Sequence, residues 1–328
     1  MFTTPVPVSP VPHQISLTHS LFCIGSCFAQ TMGHRWRDNK FTALVNPFGT
    51  LYNPVSVFRL MRYALDDQQP DDATYLERDG YYINYEFHSE LNAPSRTKLQ
   101  QIVSDRLRQT RDFLSTADWI IITLGSAFVY ERQDTGQIVA NCHRMPARTF
   151  RKRMLSVAEV VEHFASFQTL LHRTNPNARY IFTVSPVRHL RDTLEQNAVS
   201  KATLRLAIEQ LRQSEPDRIY YFPSYEIMLD ELRDYRYYAA DMLHPSEVAQ
   251  DYIWHKLTEA YLDEAARQFL SEWTKIKNAL NHRPFRPDSD AHRQFLQNTL
   301  RQLKQLVDKV DVHKEIEKLD EEIEKLGN

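Results

Sequence analysis

Short apolar runs bounded by polar or turn residues recur along the chain, at 21–24, 41–45, 119–124, 180–184 and 219–222. Runs of this kind suit strands buried on both faces. Between them, apolar residues repeat at helical spacing over 29–38, 55–64, 98–115, 157–173, 201–213 and 248–262. Alternating strand and helix predicts an α/β fold, a parallel sheet covered by helices on both faces. Two segments interrupt the alternation. Residues 68–94 carry Tyr81-Tyr82-Ile83-Asn84-Tyr85-Glu86-Phe87-His88, which reads as an inserted hairpin or lid. Residues 129–141 read as a hairpin turning at Asp134 to Gly136, whose return would bring Asn141, Cys142 and His143 back toward Gly125 and Ser126.

The end of the chain has another rhythm. Leu303, Leu306, Val310, Ile316, Leu319, Ile323 and Leu326 follow heptad-like spacing that slips by one residue near Asp311-Val312. This predicts a C-terminal helical tail, either self-associating as a short coiled coil or packed on its own domain. Pro284-Phe285-Arg286-Pro287 reads as the linker before it. The expected organisation is an α/β domain over 1–283, with an insertion at about 68–96, and a linker and tail over 284–328.

Composition narrows the function. The 328 residues are 42% hydrophobic and 25% charged, which excludes a disordered chain. Forty basic residues against 42 acidic ones leave a formal charge of -2, so no global field recruits nucleic acid or an anionic membrane. No run approaches the ~20 apolar residues that cross a bilayer. The start lacks a signal-peptide pattern, so the expected location is cytoplasmic. Three cysteines, Cys23, Cys27 and Cys142, fit a reducing compartment in which a thiol stays free.

Only seven glycines occur. Three of them, Gly25, Gly49 and Gly125, follow predicted strands and fall on the carboxyl edge of the sheet, where open parallel sheets place their ligand sites. No GxGxxG and no P-loop is present. On the same edge lie Asn46, Ser126, and Ser185-Pro186-Val187-Arg188-His189, where Arg188 and His189 suit an acidic part of a substrate. Ser26 and Cys27 sit on a strand-to-helix turn. A helix N-terminus there lowers a thiol pKa and offers N–H groups to an oxyanion. Asp241-Met242-Leu243-His244-Pro245-Ser246 puts a carboxylate three residues before a loop histidine, able to hold one ring nitrogen and leave the other as base. Pro245 suits the first turn of the following helix. No ligand spacing supports a metal site.

These words together resemble a known family. Gly25-Ser26-Cys27-Phe28-Ala29 is, letter for letter, the signature of the GSCFA family, grouped with the SGNH/GDSL-type hydrolases. Residues 46–54, Thr123 to Ser126, Asn141-Cys142-His143, Val184 to His189, Asp234 to Tyr238 and Asp241 to Ser246 resemble it in the same order. The likeness covers roughly 15–260. It implies a flavodoxin-like three-layer sandwich on five mostly parallel strands, a nucleophile after the first strand, oxyanion donors after the second and third, and an Asp-x-x-His pair near the end.

Carried over, Gly25 to Phe28 replaces the superfamily's Gly-Asp-Ser-Leu, Gly49 and Gly125 are the second- and third-block glycines, and Asp241 with His244 is the fifth block. Two departures stand out: Cys27 rather than Ser26 aligns with the nucleophilic serine, and Ala127 replaces the third-block Asn. The remaining oxyanion candidates are the N–H groups of Cys27 and Gly49 with Ser126, Asn46 or Asn141. The resemblance implies an esterase or acyltransferase with Cys27 or Ser26, His244 and Asp241, acting on an acylated carbohydrate or small ester. It requires no cofactor, and acyl-CoA suits the role of co-substrate. The rival is a non-catalytic ligand- or carbohydrate-binding module on the same fold.

Overall fold

A computed structural model of the chain describes residues 3–326. Its centre is a five-stranded parallel sheet of β1 (Ser20–Gly25), β2 (Thr42–Val45), β5 (Trp119–Leu124), β9 (Arg179–Val184) and β10 (Ile219–Tyr221), in the order β10-β9-β5-β1-β2. This is the flavodoxin-like order, and the five strands are those read from the apolar runs. Successive side chains of a strand point to opposite faces, so each strand feeds two cores. Phe22 and Ile24 of β1 enter the core beneath α2 (Pro54–Leu65), α3 (Arg96–Leu114), α4 (Val157–Leu171) and α5 (Thr193–Ser214). Leu21 and Cys23 enter the other, beneath α1 (Cys27–Asp38) and α7 (Glu247–Tyr261). Because both faces are covered, continuous apolar runs are what the strands require.

The two interruptions are small sheets. β3 (Tyr75–Arg78) and β4 (Tyr81–Asn84) form a hairpin turning at Asp79-Gly80, so Tyr81 to Asn84 is one arm of the expected hairpin. β6 (Phe128–Arg132) pairs with β7 (Ile138–Val139) as expected and also with β8 (Phe150–Met154), a third strand absent from the sequence reading. The two sheets pack through Tyr85, Val139 and Phe150. Glu86, almost wholly buried, pairs with Arg59 of α2 and accepts from Gln137 at 2.6 Å.

After β10, a short helix α6 (Ser224–Glu226) runs into a π turn at Ile227–Glu231. Beyond α7, α8 (Glu264–Leu280), α9 (Asp290–Lys304) and α10 (His313–Lys325) share one core of Phe269, Trp273, Ile276, Leu296, Leu303, Leu306, Val312 and Leu319. The heptad slip at Asp311-Val312 is therefore a reversal between α9 and α10. The apolar positions read as a coiled-coil seam are packed inside the chain. Pro284 to Pro287 connects α8 to α9 within this helical unit, so α8 shares its core with the tail. Among the described residues, no helix is long and apolar enough to cross a membrane.

Candidate active site

Cys27 and His244 are separated by most of the chain and meet at the carboxyl edge of the sheet. Ser26 is the N-cap of α1 and Cys27 its first residue. Gly25 makes that turn possible: its φ of +135° disfavours any side chain, and a Cβ there would lie 2.1 Å from the Thr123 carbonyl oxygen of β5. The Cys27 Sγ lies 3.7 Å from His244 Nε2, within reach of a thiol hydrogen bond. Ser26 is buried and its Oγ has no partner, so the structure brings Cys27, and not Ser26, to the imidazole.

His244 belongs to a loop held by Asp241. One carboxylate oxygen, Oδ1, accepts from the N–H of Leu243 and of His244, each at 2.9 Å, and Oδ2 accepts from His244 Nδ1 at 2.6 Å. Those bonds hold the carboxyl well below its usual range, at about 2. Nδ1 therefore carries the hydrogen, and Nε2 presents a lone pair to the thiol. Met242, between them, adopts φ +61°, a strained conformation for a side chain that the two carboxylate bonds hold in place. Ser246 caps α7 and Pro245 lies one residue ahead of the cap, not in the first turn as the sequence suggested.

Burial pushes the Cys27 thiol up, while the N–H groups of Cys27 and Phe28 and the Lys201 ammonium pull it down and Asp241 raises it again. The helix N-terminus thus acts as expected and loses to desolvation. Burial also pushes Cys23 up to about 12 and Cys142 to about 11.

The expected oxyanion donors divide sharply. The N–H groups of Gly125 and Ser126 both donate to the Tyr52 carbonyl at 2.9 Å, and that of Gly49 to the Asn46 carbonyl at 2.9 Å. All three are engaged. Asn46 Oδ1 accepts from the Gly25 N–H at 2.9 Å, which places the residue against the nucleophile turn, while its Nδ2 is buried without a partner. An amide donor in that state still has a hydrogen bond to give.

Asn141 and His143 are bonded to the insertion. Asn141 Oδ1 accepts from the His143 N–H at 2.8 Å, the Asn141 N–H donates to the Tyr85 carbonyl, and His143 Nε2 bonds the Asn84 carbonyl at 2.8 Å. The segment is drawn onto the β3-β4 insertion, and its hydrogen bonds do not reach Cys27 or His244. His189 Nε2 donates to the Gly125 carbonyl at 3.2 Å, and its ring stands edge-on to Tyr52. Arg188 lies over the Tyr238 ring at 5.3 Å.

Sequence reasoning missed Lys201. It is buried in α5, and its Nζ donates at 2.7 Å to the carbonyls of Gly125 and Ser185, the residues that follow β5 and β9. Burial brings its pKa down to about 7, and the charge of Cys27 opposes that fall. The signal was there in polar form: Asn197, Ser200, Lys201 and Leu204, all buried, repeat at helical spacing. Asn197 accepts from the His189 N–H and Ser200 from the Ala127 N–H, so this stripe is the polar floor of the crevice. Volume does not find the site. A groove of about 520 Å³ lined by Arg37, Trp273 and Glu322 lies against the C-terminal helices, with no nucleophile.

The model of the GSCFA family matches residues 20–257, and that of the GSCFA domain protein, C-terminal domain, matches residues 273–325. No curated protein matches the chain. Among solved structures, similarity is found to a carbohydrate esterase family 2 enzyme with a carbohydrate binding domain from Corynascus thermopiles (Myceliophthora fergusii), at 14% identity and a TM-score of 0.38 over 80% of this chain and 69% of that one. An acetyl xylan esterase from the rumen bacterium Butyrivibrio proteoclasticus aligns at 13% identity and a TM-score of 0.34, over 78% of this chain and 64% of that one.

Proposed function

Since the chain belongs to the GSCFA family, we propose that it is a cysteine-dependent acyl hydrolase or acyltransferase acting on an acylated carbohydrate or small ester. The observation that carries the reading is the line Asp241 Oδ2, His244 Nδ1, His244 Nε2, Cys27 Sγ, with contacts of 2.6 and 3.7 Å. A carboxylate, an oriented imidazole and a nucleophile in that sequence is the arrangement acyl transfer needs.

His244 Nε2 takes the thiol proton as Cys27 Sγ attacks the acyl carbonyl carbon, forming a C–S bond. The carbonyl electron pair moves to oxygen, where the free N–H groups at the start of α1 and the Asn46 Nδ2 receive it. Asn46 so takes the place that Ala127 leaves empty. Collapse breaks the bond to the leaving oxygen or sulfur, which takes the proton from the imidazolium. The thioester is then attacked by water or an acceptor hydroxyl that has given its proton to His244, and the thiol is restored. Acyl-CoA suits the first half-reaction as donor.

The alternative is a ligand-binding module. It draws support from the burial that raises the Cys27 thiol and from the engaged N–H groups of Gly49, Gly125 and Ser126. Intact-mass and peptide mapping after incubation with activated esters and with acyl-CoA separate the two. An acyl adduct on Cys27, lost in Cys27→Ala, is the expected result. His244→Ala should lower turnover by ~10²–10⁴-fold, the usual size of general-base assistance. Absence of any adduct with a folded, alkylatable Cys27 would favour the module.

A further inference from the structure

The wall beside the His244 loop is cationic and, among the described residues, Arg188 has no ion-pair partner. Arg188 Nε is buried without a hydrogen-bond partner, and the guanidinium lies over the Tyr238 ring. Acids on the surrounding elements are matched elsewhere or turned to solvent. Glu226 faces Arg205 and accepts the Tyr221 hydroxyl, Asp234 pairs with Arg236, Asp241 holds His244, and Asp230 is exposed.

The position of Arg188 relative to the reacting centre follows from its neighbours. Tyr238 bridges to Pro245, next after His244, and the Ala239 N–H donates to the His244 carbonyl at 2.7 Å. The Arg188 charge also acts on the Tyr225 hydroxyl, and Lys201 stands over the Tyr225 ring at 5.7 Å. Arg188 is thus tied to the His244 side of the site through Tyr238 and Pro245. The Tyr238 ring holds the guanidinium by a cation–π contact, and a planar guanidinium fork is the group that binds carboxylates and phosphates through two parallel bonds.

We propose that Arg188, backed by Tyr238, is the subsite for a carboxylate or phosphate carried by the acyl donor or acceptor, so that the site selects anionic substrates. The assignment rests on Cys27 as the reacting group, and its test does not need turnover. Cys27 in the full chain is alkylated with iodoacetate, an anion, and with iodoacetamide, its neutral counterpart, and the ratio of rates is compared between native chain and Arg188→Gln.

The expected result is an iodoacetate preference that falls about tenfold in Arg188→Gln, the scale of one charge-assisted hydrogen bond. Arg188→Lys, which keeps the charge and loses the fork, should fall between. Thermal melts check that each variant is folded, and two conservative variants keep the comparison available if one is not. Protection of Cys27 by succinate assigns a carboxylate ligand, and protection by inorganic phosphate assigns a phosphate. A ratio unchanged in both folded variants overturns the subsite. Charge selectivity that depends on Arg188, found together with no acyl adduct on Cys27, removes the acyl-transfer reading and leaves the anion subsite standing.

Discussion

Three free thiols differ in burial and in neighbours, and that difference orders their reactivity. Cys23 is enclosed in the core and Cys142 packs beside Tyr85, each with burial holding its thiol protonated, whereas Cys27 alone has helix N–H groups and an imidazole facing it. Iodoacetamide labelling of the native chain should therefore modify Cys27 first; equal labelling of all three would remove its special status. Lys201 makes a second residue-scale prediction. While charged it lowers the Cys27 pKa, so Lys201→Met should slow labelling below about pH 7 by up to about tenfold, with the difference fading as the pH rises past 7. A merely structural lysine would leave the profile in place. The same residue bears on stability. Its pKa falls from 10.5 unfolded to about 7 folded, so between those values the unfolded chain binds more protons and stability rises with pH. Cys23, lifted from 9.0 to about 12, acts in the opposite sense above pH 9. Melts between pH 7 and 9 should rise for the native chain relative to Lys201→Met.

At the scale of elements, much was legible because burial and apolarity coincide there. All five sheet strands announce themselves as apolar runs, and α1 to α5, α7 and the tail helices by period; α8 (Glu264–Leu280) was not read. What stayed hidden was structure written in polar letters. β8 reads Phe150-Arg151-Lys152-Arg153-Met154, and its place in the sheet is set by Arg151 and Arg153 converging on Glu131 of β6, a cross-strand match invisible to hydropathy. α5 was read from Lys201 onward, although it begins at Thr193, so a residue in the helix interior looked like an exposed first turn. Asn141 was placed by hairpin return alone, and the competing pull of Tyr85 was not readable. Two substitutions probe these elements. Gly25→Ala forces a Cβ into the β5 backbone and should destabilise the fold by about 3 kcal/mol or more in denaturant titration. Arg59→Met strands the buried Glu86 carboxylate and should cost ~3–5 kcal/mol, a loss that a second change, Glu86→Leu, recovers in large part.

For the whole molecule, α1 is one of the elements through which the C-terminal helices touch the half that carries Cys27. Its first residue is Cys27, and its far end is gripped by α8: Trp273 Nε1 donates to the Asp38 carbonyl at 2.8 Å and Lys277 Nζ to Asn39 Oδ1 at 2.7 Å. Lys40, just beyond, pairs with Glu315 of α10 at 2.6 Å. Trp273→Ala should therefore loosen the three C-terminal helices by ~3–5 kcal/mol. The expected sign is an early transition in limited proteolysis, releasing α9 and α10 while the sheet persists. Simultaneous loss of sheet and helices in one step would show the two units to be a single cooperative body.

The 217 positions between Cys27 and His244 also set a timetable for biosynthesis. At ribosomal rates of roughly 5–20 residues per second, the nascent chain carries its thiol for about 10–40 s before the histidine that would deprotonate it has been polymerised. Throughout that interval the cysteine has no base, and the polar floor supplied by α5 arrives only shortly before it. On the proposed acyl-transfer reading, the pair of Cys27 and His244 exists only when synthesis of the domain is nearly complete, so a truncated translation product ending before α7 would be unarmed.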